Sequence, residues 1–446
     1  MKGLIQTLRN IFSIPELRER ILYTLFLLAI YRAASFIILP GIDSQVLSEE
    51  FARTQGMGIL GMLNAFVGGA FSRGAILALG IMPYISASII IQLLATAVPS
   101  LQKLQKEGES GTRRLNQYTK FLTVAVVLVQ GTGYLVNLRT QYQAAITMSP
   151  TLFTITSLLC MLAGTMFLVW LADKITDKGL GNGSSLIIAI GIVAELPPAL
   201  LNEFTSNPPM VSYLEVLALM AVIMGVVFLQ QAVRKIPVHY ARQMAGGRYP
   251  TAMGGVASTS HIPLKLTAAG VMPIIFAQSL MFLPATIAQY FPESDFWLST
   301  GSWFADYTSF AYNFFFVLLI VLFTYFYTAI AINPRDIADQ LKRAGGYIPG
   351  IKPGKPTADY IDTVLTRITL PGSLALAAVA ILPAFVRLAG VSNQFAQFFG
   401  GTTILIMIGV VLDTLQQIES FLLMRHYEGL IKTGRIRGRS PVGSIV

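Results

Sequence analysis

Residues 56–74 read GMGILGMLNAFVGGAFSRG, and residues 80–94 just beyond read GIMPYISASIIIQLL. The second stretch belongs to an apolar run long enough for a membrane helix. The first is apolar but too short to cross a bilayer, dense in glycine, and carries the polar Asn64. A half-length segment of this kind holds its place at membrane depth only where protein or a water-filled cavity surrounds it. Glycine and proline are ordinary in membrane helices, so Pro83, or Pro273 in GVMPIIFAQS at 270–279, decides little alone. A glycine-rich half-span joined directly to a full span is rarer, and it points to a chain that builds something inside the membrane.

The rest of the chain agrees. Of 446 residues, 54% are hydrophobic and 12% charged, about half the charged fraction of a soluble domain. Disorder, a collagenous fibre and a nucleic-acid-binding tail protein are excluded, and a soluble enzyme is disfavoured. Membrane helices need roughly 20 apolar residues. Ten stretches qualify, near 21–40, 74–98, 118–138, 152–172, 184–201, 213–233, 264–290, 311–331, 366–389 and 399–424. Cys160 is alone, so no intramolecular disulfide is expected. No short apolar core with a small-residue cleavage site opens the chain, so no removable signal peptide is expected.

Ten spans alternate the loops between two sides. All 32 Lys and Arg except Arg32, Arg53, Arg73, Arg139 and Arg387 then fall on the side of the termini. The positive-inside rule makes that side cytoplasmic. The opposite loops lean acidic and carry Trp297 and Trp303, as interfacial aromatics do. The stretch Leu4, Ile5, Leu8, Ile11 and Phe12, with Arg9 opposite, is amphipathic. It reads equally as a surface helix or as a cytosolic extension of the first span.

Five plus five spans place two halves in opposite orientation, the condition for an inverted repeat. The expected fold is an all-α polytopic membrane protein of ten transmembrane helices in two inverted five-helix halves, with a short glycine-rich half-span near 58–71. Its expected parts are a cytoplasmic N-terminal segment (1–20), a first half (21–201), a second half (202–424) with long cytoplasmic loops at 234–265 and 332–367, and a basic tail (425–446).

Coupled carriers and proton pumps keep ionisable residues inside their spans. Here Arg32 and Arg387 sit near outer span ends, where an arginine can snorkel. Asp413 is the one deep carboxylate, read as capping or pairing rather than ion coupling. His239, His261 and His426 fall in cytoplasmic regions, so no metal site within the membrane is expected. No catalytic set converges and no phosphate-binding loop appears. Mid-span faces are aliphatic instead: Ile81, Ile85 and Ile89; Ser184 and Ile188; Val271 and Ile275; Thr402, Ile406 and Val410. Each set repeats at i, i+4. Spacing alone leaves such a face open to lipid, helix packing or a path.

Several long motifs now stand together: Pro40-Gly41-Ile42-Asp43; ALGIMPYISASIIIQLL at 78–94; KEGESG at 106–111, followed by Gln117-Tyr118-Thr119; KGLGNGSSLIIAIGIVAELP at 178–197; STSHIPLKL at 258–266; NPRDIADQLKR at 333–343; and YIPGIKPGKPTADYID at 347–362. In these the sequence resembles the SecY family, the channel subunits of the bacterial Sec protein translocon, over nearly its whole length.

The resemblance implies a protein-conducting channel in the bacterial inner membrane, whose two halves open like a clamshell around an hourglass pore. It implies a pore ring at Ile81, Ile85, Ile188, Ile275 and Ile406. Ser184, one turn before Ile188, stands where relatives often have an apolar ring residue. It implies a plug containing Gly61, Asn64, Phe66, Gly68 and Gly69. A lateral gate is implied between spans 2 and 3 and spans 7 and 8, with Ser86, Gln130 and Thr267 bonding across it or to their own backbone. A narrow apolar collar in a water-filled funnel resists ions by dewetting, and aliphatic side chains part around any chain without gripping it.

The long basic loops serve either topology and anionic lipid or docking. The resemblance favours docking of the SecA ATPase or the ribosome at Arg242, Arg248, Lys342, Arg343 and Lys352. Lys352 replaces the family's arginine and lacks its planar fork. SecE, SecG, signal peptides, nascent chains and lipids are the other implied partners. No cofactor, metal or enzymatic activity is expected. The competing readings are a small-solute secondary transporter, which calls for midplane charges and a polar pocket, and a pore-free membrane enzyme or scaffold.

Overall fold

A computed structural model describes residues 14–53, 59–240, 259–267, 270–290, 303 and 306–433. The amphipathic stretch Leu4–Phe12, Arg242, Arg248 and Trp297 lie outside these.

Helix α1 (Pro15–Ala34) begins on a proline, whose missing N–H is harmless in a first turn. Leu22, Leu25 and Phe26 face outward, while Leu17, Leu27, Leu28 and Tyr31 face the core. Beyond it the chain runs extended past Leu39, whose N–H bonds the Gly74 carbonyl at 2.8 Å. Helices α2 (Ser44–Arg53) and α3 (Ile59–Phe66) follow. The span expected at 74–98 is a helix only from Met82. Before that, residues 67–81 form compact turns, because Gly68, Gly69, Gly74 and Gly80 all take positive φ, between 56° and 78°. Helix α4 (Met82–Ala97) then bends by 105° at Val98 into α5 (Pro99–Lys106).

Long helices complete the first half: α6 (Glu109–Gln141), α7 (Pro150–Lys178) and α8 (Gly183–Ser206). The second half holds α9 (Pro209–Gln231), α10 (Met272–Tyr290), α11 (Phe310–Ala331), α12 (Pro334–Arg343), α13 (Lys355–Leu388), α14 (Asn393–Ala396) and α15 (Gly401–Thr433). Among the described residues, seven helices are long and apolar enough to cross a membrane, namely α6, α7, α8, α9, α11, α13 and α15. The bent pair α4–α5 makes an eighth. With α1 and α10, every one of the ten expected segments has its helix. α1 is set apart by Glu16, Arg18, Glu19 and Arg20 in its first turns. α10 is interrupted by Pro284.

The seventh segment starts later than its apolar run predicts. Thr259–Lys265 is a strand, β2, antiparallel to β1 (Val233–Tyr240), with Val233 opposite Lys265 and His239 opposite Thr259. β3 (Gly346–Tyr347), from the loop between α12 and α13, adds to the other edge of β1. Ile236, Val238, Leu264, Leu341, Ile348, Ile361 and Leu365 bury together beneath this sheet. The described parts of the two long basic loops thus share one core. The apolar residues near 264 serve that core rather than a span.

The halves meet along two lines. α10 packs against α4 and α6, and α15 packs against α8. One continuous buried cluster fills the space between them, drawing on both halves.

Candidate functional site

Ile81 is the residue before α4, and Ile85 lies one turn inside it. Ile188 comes from α8, Ile275 from α10 and Ile406 from α15. All five belong to the shared cluster, and none is more than 7% exposed. Two halves and four helices thus contribute to one aliphatic centre. Gly409 lets α15 approach α10 closely there, since a Cβ on it would stand 2.5 Å from Val271 Cγ1. Ser184 lies one turn before Ile188. It sits in the first turn of α8, and its hydroxyl donates to Asn182 Oδ1 at 2.6 Å. Asn182 in turn caps the helix by accepting from the Ser184 and Ser185 N–H groups.

The glycine-rich turn lies against this centre. Phe66, Val67, Ala70 and Phe71 are buried. Asn64 holds the turn from within: its carbonyl accepts the Gly69 N–H and its Oδ1 accepts the Ser72 N–H, both at 2.9 Å. Gly61 and Asn64 line a small cavity with Glu195 and Gln397. Side chains from neighbouring elements then bond the turn's carbonyls. Tyr31 Oη donates to Val67 O at 3.4 Å, Arg32 Nη1 to Gly68 O at 2.8 Å, Arg73 Nη2 to Gly68 O at 2.6 Å and Tyr134 Oη to Phe71 O at 3.0 Å. Arg32 does not snorkel as its place near a span end implies; it is engaged with the turn.

Ser86, Gln130 and Thr267 are brought near the same seam by α4, α6 and the entry to α10. Among the described residues no hydrogen bond joins these three side chains to one another. Thr267 precedes the helix, and its carbonyl is taken by the Gly270 N–H at 2.9 Å. The polar contact in this region is Gln278 Nε2 with the Tyr312 hydroxyl at 3.3 Å, within the second half.

Hydrogen bonds cross between the halves at both ends. On one face the Gly181 N–H donates to Gln417 Oε1 at 2.8 Å. On the other, the Ser392 hydroxyl donates to Glu203 Oε2. Glu203 is 1% exposed and also accepts from Asn207 Nδ2 at 2.5 Å. Near the end of α8, Glu203 is thus a buried fastening. Asp413, the deep carboxylate of the sequence, is exposed on α15. Lys342, Arg343 and Lys352 are exposed on the body formed by the basic loops, and the Lys352 carbonyl accepts from Thr357 Oγ1 at 2.9 Å.

The family model described as SecY matches residues 75–415, most of the chain. The chain belongs to the SecY family. The SecY protein translocase subunit of Streptomyces galbus is 42% identical over 441 residues, covering 94% of this chain and 98% of that one. The SecY of Thermus thermophilus is 42% identical over 437 residues, covering 96% and 98%. This SecY-family chain is a translocase subunit by that relationship. Its fold matches a solved protein-conducting channel at TM-score 0.64 and 17% identity, over 94% of this chain and 95% of that one. It also matches the Sec61 channel of a canine ribosome–channel complex at TM-score 0.59 and 16% identity, over 94% and 95%.

Proposed function

We propose that this chain is the pore-forming subunit of a Sec channel, passing unfolded secretory polypeptides across the bacterial cytoplasmic membrane and releasing transmembrane segments sideways into lipid. The observation that carries this reading is the convergence of Ile81, Ile85, Ile188, Ile275 and Ile406 from both halves, sealed by their own side chains and backed by a glycine-rich turn. Such a collar blocks ions when closed and offers no directional bond to a passing chain. The turn near 58–71 acts as the plug.

The contact of α10 with α4 and α6 supports a lateral exit there, with Ser86, Gln130 and Thr267 near its edges. The exposed Lys342, Arg343 and Lys352, with Arg242 and Arg248, form the docking surface for the SecA ATPase or the ribosome. SecE and SecG complete the channel, and both termini face the cytoplasm. The sequence carries no nucleotide-binding loop, so the channel itself is passive and its driving force comes from the docked partner.

The test is crosslinking of a stalled secretory chain to photoreactive residues at Ile85 and Ile275, with Leu22 on the outward face of α1 as the control. Adducts at the first two and not at the third are expected. Equal labelling at all three overturns the reading.

A further inference from the structure

The Gly68 carbonyl accepts hydrogen bonds from two guanidinium groups, Arg32 Nη1 at 2.8 Å and Arg73 Nη2 at 2.6 Å. Both groups also stack over one ring, Phe36, at 4.9 and 4.5 Å from its centroid. Two like charges held this close on a neutral acceptor repel, and the half-buried setting amplifies the repulsion. Glu195 of α8 faces both guanidiniums, and a Cβ on Gly69 would collide with its carboxylate. Among the described residues Glu195 makes no ion pair with either arginine, so it acts across the turn as a counter-charge.

We propose that Arg32, Arg73 and Glu195 form a latch, two cations partly offset by one carboxylate, that holds the glycine-rich turn in the closed channel. The inference rests on the plug reading above. Every member of the latch belongs to the first half: Arg32 to α1, Arg73 to the turn and Glu195 to α8. Separation of the halves does not by itself break it. Parting the collar and freeing the turn are therefore two events, and the latch controls the second. Glycine at 69 is what leaves room for the Glu195 carboxylate to approach.

The experiment uses the full channel complex in planar bilayers, without substrate, comparing the parent with Arg73→Gln, Glu195→Gln, Arg73→Lys and a deletion of residues 60–70. Glu195→Gln is isosteric, so it removes charge with little change in packing. Arg73→Gln is expected to raise resting ion conductance roughly tenfold, as loss of one charge-assisted hydrogen bond implies, with Arg73→Lys between it and the parent, and Glu195→Gln is expected to raise it because the two guanidinium groups lose the charge that offsets their repulsion. In a Cys160→Ser background, the buried Ala70 replaced by cysteine should react faster with a membrane-impermeant thiol reagent when Glu195→Gln is added. If the deletion raises conductance while Arg73→Gln and Glu195→Gln match the parent in both readouts, the latch is overturned and the plug reading stands. If the deletion is silent too, the plug reading fails and the latch falls with it.

Discussion

The Phe66 carbonyl is packed against the α-carbon of Gly191, so that a methyl placed on Gly191 would stand 2.7 Å from that oxygen. Gly68 sits on the same spot, its own would-be Cβ 3.0 Å from the Gly191 α-carbon. Backbone meets backbone here, between the turn and α8. Gly191→Ala is expected to push the turn outward at a cost of about 1–3 kcal/mol. The measurement is resting ion conductance of the reconstituted channel, which should rise but stay below that of a channel lacking residues 60–70. A tight channel with Gly191→Ala contradicts the contact.

The collar makes a second prediction. Ile275 is 4% exposed and Ile406 fully buried. Asparagine at either site places an amide in an apolar centre, which costs about 1–3 kcal/mol unless it gains a partner. The expected outcome is a collar that wets more easily, seen as higher conductance and as export of precursors with weaker signal sequences. Ile275→Leu keeps the volume and should behave as the parent.

Between the halves, Ser392→Ala strips a donor from the buried Glu203 carboxylate. Hydrogen bonds to charged groups contribute about 1.5–3 kcal/mol. The variant should unfold at lower temperature in detergent. The added loss from Glu203→Gln in the Ser392→Ala background should be smaller than in the parent, since the two share one contact. Additive losses would remove Glu203 from the seam.

The body that carries the three-stranded sheet has a core of its own, in which Leu264 is 3% exposed. Leu264→Ala should cost about 2–5 kcal/mol locally. Limited proteolysis should then cut both basic loops faster while the membrane helices stay intact. Faster cutting of one loop alone would argue that the loops fold separately.

Charge reversal at Arg242, Arg248 and Lys352 together should reduce SecA-driven export by a stable, inserted channel. Unchanged export would leave these charges to topology and lipid.

Much of the fold was legible in the sequence because a bilayer is a demanding solvent. Twenty apolar residues announce a span, and the side on which Lys and Arg fall sets its direction. Misreadings occurred where an apolar run had another employer. Leu264 and Leu266 extend the seventh apolar stretch, yet Leu264 packs under a strand pair, because β1 supplies hydrogen bonds that a helix start there would forgo. Gly74 to Ile81 reads as the start of a span, but four positive-φ glycines fold the chain into turns first.

For the site, periodicity named the aliphatic faces, and only their convergence from α4, α8, α10 and α15 distinguishes a shared buried centre from lipid-facing helix. Ser184 shows the limit of spacing: one turn from Ile188, it answers to Asn182 and the helix cap. Arg32 shows another, since a lone arginine near a span end looks the same whether it snorkels or binds. The sequence by itself determined that this is a multi-span membrane chain, where its apolar segments lie and to which family it belongs, because these follow from local hydropathy and contiguous motifs. Tertiary structure decided that Arg32 and Arg73 share the Gly68 carbonyl, that Glu203 fastens the halves, and that two distant loops make one sheet. Those contacts join residues far apart in the chain, and long-range pairing leaves no local trace in composition or period.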